Sequence, residues 1–252
     1  MTRLMKPVAV IPARYASLRF PGKPLALIGG QPMVRHVYER CIESAAFGRV
    51  LVATDDERIA QAVRAFGGEV AMTSPACQSG TDRVAEVAHA DAAAHVFVNV
   101  QGDEPLIAPG ALAQLASLFA EPAVEMATLA RPLQRHEREN PNVVKVVLAA
   151  NGDALYFSRA DIPFDRAAQL GGVPADAPRL AHLGLYGYRR ETLLGIASLP
   201  PSALERSEGL EQLRALEAGV RIRCGLTHYG GIGVDTPEDL ARAEALWRAR
   251  HS

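Results

Sequence analysis

Apolar runs of four or five residues alternate with stretches of helical spacing through the first half of the chain. Val8–Ile11, Val50–Ala53, Glu69–Met72 and Val96–Val100 read as strands. Glu57–Phe66, Thr81–Ala88 and Pro109–Phe119 read as helices; Gly67-Gly68 stops the first, and Pro109 opens the last. Strands separated by helices predict the α/β class, a mostly parallel twisted sheet flanked by helices. The pattern then changes. Val143–Leu148 is β-branched, Asn151-Gly152-Asp153 is a turn signal and Ala154–Phe157 is the return strand of a hairpin. A loop rich in Gly, Pro and Asp follows over 161–178, and Leu183–Tyr188 is strand-like again. Residues 131–199 therefore read as a smaller, partly antiparallel lobe inserted into a main α/β domain formed by 1–130 and 200–252. Glu211–Ala218 reads as a helix and Val220–Cys224 as a strand. Pro237–Arg250 is a last helix, with Leu240, Ala243, Leu246 and Trp247 on one face.

Composition narrows the partners. The 252 residues are enough for one large domain or a domain with a lobe. Lys and Arg number 27 against 28 Asp and Glu, a net charge of −1, which argues against a nucleic-acid binder. The three cysteines form no CxxC pair, so neither zinc nor a disulfide framework is expected, and a reducing cytoplasmic setting is. No apolar run approaches the roughly 20 residues that span a bilayer, so no membrane association is expected.

The charges that matter must be local. The first strand breaks into a loop bearing Arg14, Ser17, Arg19, Gly22 and Lys23. Strand, cationic loop, helix is how open α/β sheets present a phosphate site; a solvated basic loop is the plain alternative. The strand VFVNV runs into Gln101-Gly102-Asp103, placing a carboxylate on the ligand edge of the sheet, suited to Mg²⁺ or to an ordinary turn. Asp235 precedes Thr236-Pro237. If Thr236 caps the helix, Asp235 is available to bind; otherwise Asp235 is itself the cap. Ser79-Gly80-Thr81-Asp82-Arg83 opens a helix, with Ser79 or Thr81 as a simple cap or the loop as a sugar or base contact. Arg159, His182 and Tyr186 sit on or near lobe strands, and Glu211-Gln212 lies at a helix start; each has a plain structural reading as well.

Together these segments resemble the CMP-Kdo synthetases, the 3-deoxy-manno-octulosonate cytidylyltransferases. The resemblance is carried by IPARYASLRFPGKPL from Ile11, ATDDERI from Ala53, QSGTDR from Gln78, VNVQGDEPLI from Val98, NPNVVKVV from Asn140, YFSRA from Tyr156, HLGLYGYR from His182, LEQLRALE from Leu210 and GVDTPEDL from Gly233. It implies a nucleotide-sugar-transferase-like fold, and a nucleotidyltransferase that joins CTP and Kdo for lipopolysaccharide biosynthesis and releases pyrophosphate. It further implies a cytoplasmic homodimer built through a lobe that also binds the sugar. By the same resemblance, Arg14, Ser17, Arg19, Lys23, Ser79, Gly80, Arg83 and Gln101 meet CTP, and Asp103 and Asp235 hold Mg²⁺. Arg14, Arg19, Lys23 and the two acids carry the catalysis, while Arg159, His182, Tyr186, Glu211 and Gln212 face Kdo. Three positions depart from the family pattern: Cys77 stands where His is expected, Asp161 where Pro is expected and Gly209 where a larger apolar residue is expected. A sialic-acid cytidylyltransferase, a sugar-1-phosphate nucleotidyltransferase and a catalytically dead scaffold are the rival readings.

Overall fold

The computed structural model describes residues 6–17, 20–173, 177–231 and 233–251. The chain runs through β1 (Val8–Pro12), β2 (Leu27–Ile28), β3 (Gln31–Pro32), α1 (Met33–Glu43), β4 (Arg49–Thr54), α2 (Glu57–Ala65), β5 (Glu69–Met72), α3 (Gly80–Ala90), β6 (Val96–Asn99) and α4 (Pro109–Ser117). It continues with β7 (Met126–Pro132), β8 (Lys145–Leu148), β9 (Ala154–Ser158), α5 (Arg166–Gln169), β10 (Leu180–Arg189), α6 (Arg190–Ala197), α7 (Ala203–Glu208), α8 (Gln212–Glu217), β11 (Ile222–Leu226) and α9 (Pro237–His251).

The predicted strands and helices of the first half are present, and the sheet is the one their alternation implies. Its order is β11-β7-β10-β6-β1-β4-β5, with β8 paired to β10 and β9 paired to β8. β6, β1, β4 and β5 form a parallel block; β7 and β11 form another. The reversed strand β10 joins the blocks, antiparallel to both β6 and β7. The hairpin read at 143–157 is β8–β9. Residues 131–199 are continuous with the main sheet, because β10 belongs both to the hairpin's extension and to the sheet's centre.

Side chains alternate between two cores, as strands covered on both faces require. Val8 and Val10 pack with Leu51, Phe97 and the α3 and α6 residues Val84, Ala88, Leu193 and Ile196. Ala9 and Ile11 pack on the other face with Val52, Val98 and residues of α1, α2 and α4, among them Val37, Ile59 and Leu112. The parallel order sends the chain ends of β1 and β6 to one edge, where the candidate residues follow.

A third cluster secures that edge. Ile28, Met33, Leu106, Val234 and Ala243 are buried together, with Phe20, Leu240, Leu246 and Trp247 packed against them. The one-face pattern read on the last helix is thus its contact face. Trp247 lies over Gly29, where an added Cβ would come within 2.3 Å of the ring. Phe20, Leu106 and Val234 are each within three residues of Lys23, Asp103 or Asp235, so this small core ties three distant loops together. Trp247→Ala is expected to lower unfolding stability by about 2 kcal/mol, less than a fully buried Trp costs because the ring is only half-buried. Urea denaturation checks this. A wild-type midpoint would show that the ring does not hold the cluster.

Candidate active site

The loop after β1 is closed by the Gly22 N–H, which donates to Tyr15 O at 2.9 Å. Gly22 has φ +71°, a conformation that disfavours any side chain. Lys23 follows it directly. After β6, Gly102 passes so close to Pro12 that an added Cβ would lie 2.8 Å from the carbonyl oxygen. This close backbone approach seats Asp103 beside the β1 loop.

Asp235 arrives from the far end of the chain. The Val234 N–H donates to Asp103 O at 2.8 Å, fixing the two acids side by side. The Asp239 N–H donates to Thr236 Oγ1, and the Thr236 N–H donates to Asp239 Oδ2. That reciprocal pair makes Thr236 the cap, so Asp235 has no capping duty. The Lys23 ammonium then bridges the acids, donating to Asp103 Oδ2 at 2.8 Å and Asp235 Oδ1 at 3.1 Å.

These groups line a cleft of about 270 Å³, together with Arg14, Ser17, Cys77, Ser79, Gly80, Arg83 and Gln101. Ser79 is the N-cap of α3 in a capping box with Asp82, so the plain reading of that loop holds while its helix end also faces the cleft. Arg83 lines the wall, but its guanidinium is buried and engaged by Thr73 Oγ1 at 2.7 Å and Asp55 at 3.1 Å. Arg19 lies outside the described residues.

A second cavity, of about 140 Å³, adjoins the first and shares Gly80 and Gln101 with it. Tyr186, Glu211 and Gln212 line it, with Asn99, Tyr188 and Ile196. Glu211 accepts from Thr81 Oγ1 at 3.2 Å and Ser79 Oγ at 3.4 Å, and burial holds its carboxyl above the usual range. His182 lines neither cavity; it lies behind Tyr186, with ring centroids 5.2 Å apart. Arg159 is turned away as well. Its guanidinium donates to the carbonyls of Glu208, Pro141 and Gly209 and lines neither cavity.

A family model described as cytidylyltransferase matches residues 8–222. The chain is 57% identical over 243 residues to the 3-deoxy-manno-octulosonate cytidylyltransferase of Myxococcus xanthus (strain DK1622), covering 96% of this chain and 97% of that relative. The chain belongs to the 3-deoxy-manno-octulosonate cytidylyltransferase family. The enzyme of that name from Geobacter sulfurreducens (strain ATCC 51573 / DSM 12127 / PCA) is 53% identical over 94% of this chain and 98% of its own length. A solved structure of CMP:2-keto-3-deoxy-manno-octonic acid synthetase complexed with CTP matches with a TM-score of 0.91 at 45% identity, over 97% of this chain and 99% of that one.

Sequence reasoning passed over four polar residues in or beside the cavities of this cytidylyltransferase. Asn99 ends β6 with a buried side-chain oxygen that has no partner among the described residues. The buried Thr128 touches His182. Glu104, beside Asp103, is pushed up to about 7 by burial and by that neighbouring acid, and it accepts from Tyr229 Oη at 3.3 Å. Asn99 and Glu104 stand inside the VNVQGDEP segment and were legible as polar residues bordering a strand end. Thr128 and Tyr229 carry no such signal.

The three departures have local accounts. Cys77 donates its thiol to Glu86 Oε2 at 3.2 Å, and burial with this contact pushes it up to about 11. Asp161 receives both Arg138 and Arg179, at 3.0 and 2.7 Å. Gly209 ends α7 at φ +62°, a cap for which a larger apolar residue is poorly suited.

Burial also pushes His182 down to about 3, so folding keeps the ring neutral. The unfolded chain takes up that proton near pH 6.5, the ordinary value, and the folded chain does not until far lower. Stability is therefore lost as pH falls below about 6.5. Denaturation of wild type and His182→Gln between pH 7 and 4 should show this loss more steeply in wild type. Parallel pH profiles would refute the neutral buried ring.

Proposed function

We propose that this chain joins CTP to 3-deoxy-D-manno-octulosonate (Kdo), giving CMP-Kdo and pyrophosphate for lipopolysaccharide biosynthesis; the relatives' names support the cytidylyl transfer to 3-deoxy-manno-octulosonate. The observation that carries this is the cationic, two-carboxylate cleft that opens past Gly80 and Gln101 onto a smaller polar cavity. A triphosphate suits the first space and a polyhydroxylated acid the second. The sugar hydroxyl oxygen bonds to the α-phosphorus and loses its proton to solvent, while the bond from that phosphorus to the α–β bridging oxygen breaks and pyrophosphate leaves. Arg14, Ser17 and Lys23 meet the phosphates, Arg19 belongs to the same loop, and the start of α3 adds its N-terminal field. Gln101, at the junction, meets the nucleoside side of the reacting centre. Such transfer is governed by positioning and charge neutralisation.

Mg²⁺ is part of this proposal. The donor set suits it: Asp103 and Asp235 already converge on one cation, the Lys23 ammonium. Among the described residues no cluster of three or more His, Cys, Asp or Glu could hold a metal, so the remaining ligands would be phosphate oxygens and water, as is usual for this ion. When bound, Mg²⁺ neutralises phosphate charge and polarises the reacting centre. With the ion on the acids, Lys23 would serve the phosphates as a point charge.

The proposal includes a cytoplasmic homodimer formed through the lobe. Phe164, Leu170 and Val173 are 73%, 74% and 86% exposed on that segment, an apolar group in search of a partner. Sedimentation should show a dimer that Phe164→Asp weakens; a wild-type monomer at tens of micromolar removes the proposal. Among the described residues no helix is long and apolar enough to cross a membrane.

The deciding experiment crosses each nucleoside triphosphate with Kdo, N-acetylneuraminate and sugar 1-phosphates, following pyrophosphate release. Release is expected with CTP and Kdo. Preference for N-acetylneuraminate or for a sugar phosphate would hand the site to a rival, and phosphorus NMR of the product would say which.

A further inference from the structure

β10 changes neighbours half-way along. Leu180 and Ala181 pair with β8, Tyr186–Arg189 pair with β6, and β7 flanks both halves on the other side. Where one neighbour gives way to the next, β10 carries two extra residues. Leu183 stands opposite Leu129, yet Tyr186 stands opposite Thr128, the adjacent residue of β7. An even insertion preserves the faces, so His182 and Tyr186 still project together, opposite Ala130 and Thr128. In a regular strand about 13 Å would part them. Here their ring centroids are 5.2 Å apart.

Thr128 holds the bulge. Its Oγ1 lies 2.7 Å from Leu185 O, 3.1 Å from Leu183 O and 2.9 Å from His182 Nε2. A hydroxyl has one proton, and the two carbonyls can only accept it. The contact with His182 therefore uses a proton of the ring: Nε2 donates, and Nδ1 is bare. Tyr186, packed on that ring, stands in the wall of the smaller cavity directly opposite Asn99. Tyr186 Oη and Asn99 Oδ1 are both buried without a hydrogen-bond partner among the described residues. Native interiors seldom leave such groups unpaired, and their place in this wall points to a polar ligand.

We propose that Thr128 is a positioning residue for the sugar subsite: it pins the β10 bulge and the Nε2–H form of His182, and so sets Tyr186 opposite Asn99 to hydrogen-bond neighbouring hydroxyls of a polyol acid. That role presupposes an acid sugar in the smaller cavity, as proposed above.

The test compares wild type, Thr128→Val and Thr128→Ser in two measurements. Imidazole nitrogen NMR of the unliganded protein reads the His182 tautomer, whatever the substrate. Wild type and Thr128→Ser should show protonated Nε2, and Thr128→Val a mixture. Kinetics should show KM for Kdo about tenfold higher in Thr128→Val, KM for CTP unchanged within about twofold, and Thr128→Ser close to wild type, the scale of one or two lost hydrogen bonds. Protonated Nδ1 in wild type overturns the proposal, and this holds even if Thr128→Val does not fold. An unaltered KM for Kdo in Thr128→Val, or an equal rise in KM for both substrates, overturns it too. Failure of wild type to use Kdo would instead strike the proposed activity, leaving the tautomer result standing.

Discussion

Asp103→Asn and Asp235→Asn are each expected to lower kcat by at least about 10²-fold, the scale of losing one central electrostatic group, without unfolding the protein. The amide keeps the shape of the acid and removes the charge. Both acids stand at the cleft with the Lys23 ammonium between them, so each supports the same cation position. The double variant should therefore lose little more than either single one, because groups acting as a unit are not additive. Steady-state rates across a Mg²⁺ titration, with circular dichroism as the folding control, provide the check. Activity within a few-fold of wild type in both single variants would remove the metal assignment.

Lys23→Met should be nearly as damaging, about 10²-fold in kcat, but with an opposite signature towards the metal. Removing the ammonium leaves two carboxylates with one fewer cation to compete for them. Apparent Mg²⁺ affinity should rise while turnover falls, because the positive charge proposed to meet the phosphates is gone. Calorimetric Mg²⁺ titration beside kinetics at saturating CTP separates the two effects. A higher KM with kcat untouched would confine Lys23 to uniform binding of the nucleotide.

The parallel strands were legible because strands covered on both faces are nearly continuous apolar runs, and Val8–Ile11 and Val96–Val100 have no competing pattern. The caps at Ser79 and Thr236 were legible because capping chemistry is local in sequence. The short strands β2 and β3, the helices α1, α5, α6 and α7, and the strand β7 escaped. β7, MATLARP, mixes alanines with one branched apolar residue and shows no period-two alternation. α1 buries His36 among Met33, Val34, Val37 and Cys41, where the ring nitrogen contacts Ile28 O at 2.7 Å and blurs the apolar stripe. The site was visible as separate charges but not as a place. That Asp103 meets Asp235 depends on one backbone hydrogen bond, from the Val234 N–H to Asp103 O, and on the packing beneath it. The insertion in β10 is likewise silent in sequence, since GLYGY fits a regular strand as well as a bulged one. Arg159 lies in a recognisable segment, but its three guanidinium hydrogen bonds to the carbonyls of Glu208, Pro141 and Gly209 depend on contacts far apart in sequence.

The small core under Phe20, Leu106, Val234 and Trp247 gives the protein a timetable during its own synthesis. At about 5–20 residues per second, Asp235 leaves the ribosome's catalytic centre roughly 7 to 26 seconds after Asp103. β7 to β11 are made within that interval, so an incomplete chain can hold much of the scaffold while Lys23 has only one of its two acids. α9, which packs on the loops carrying all three groups, follows Asp235 directly. A chain interrupted between Asp103 and Asp235 therefore carries much of the scaffold but only one of the two acids that meet at Lys23.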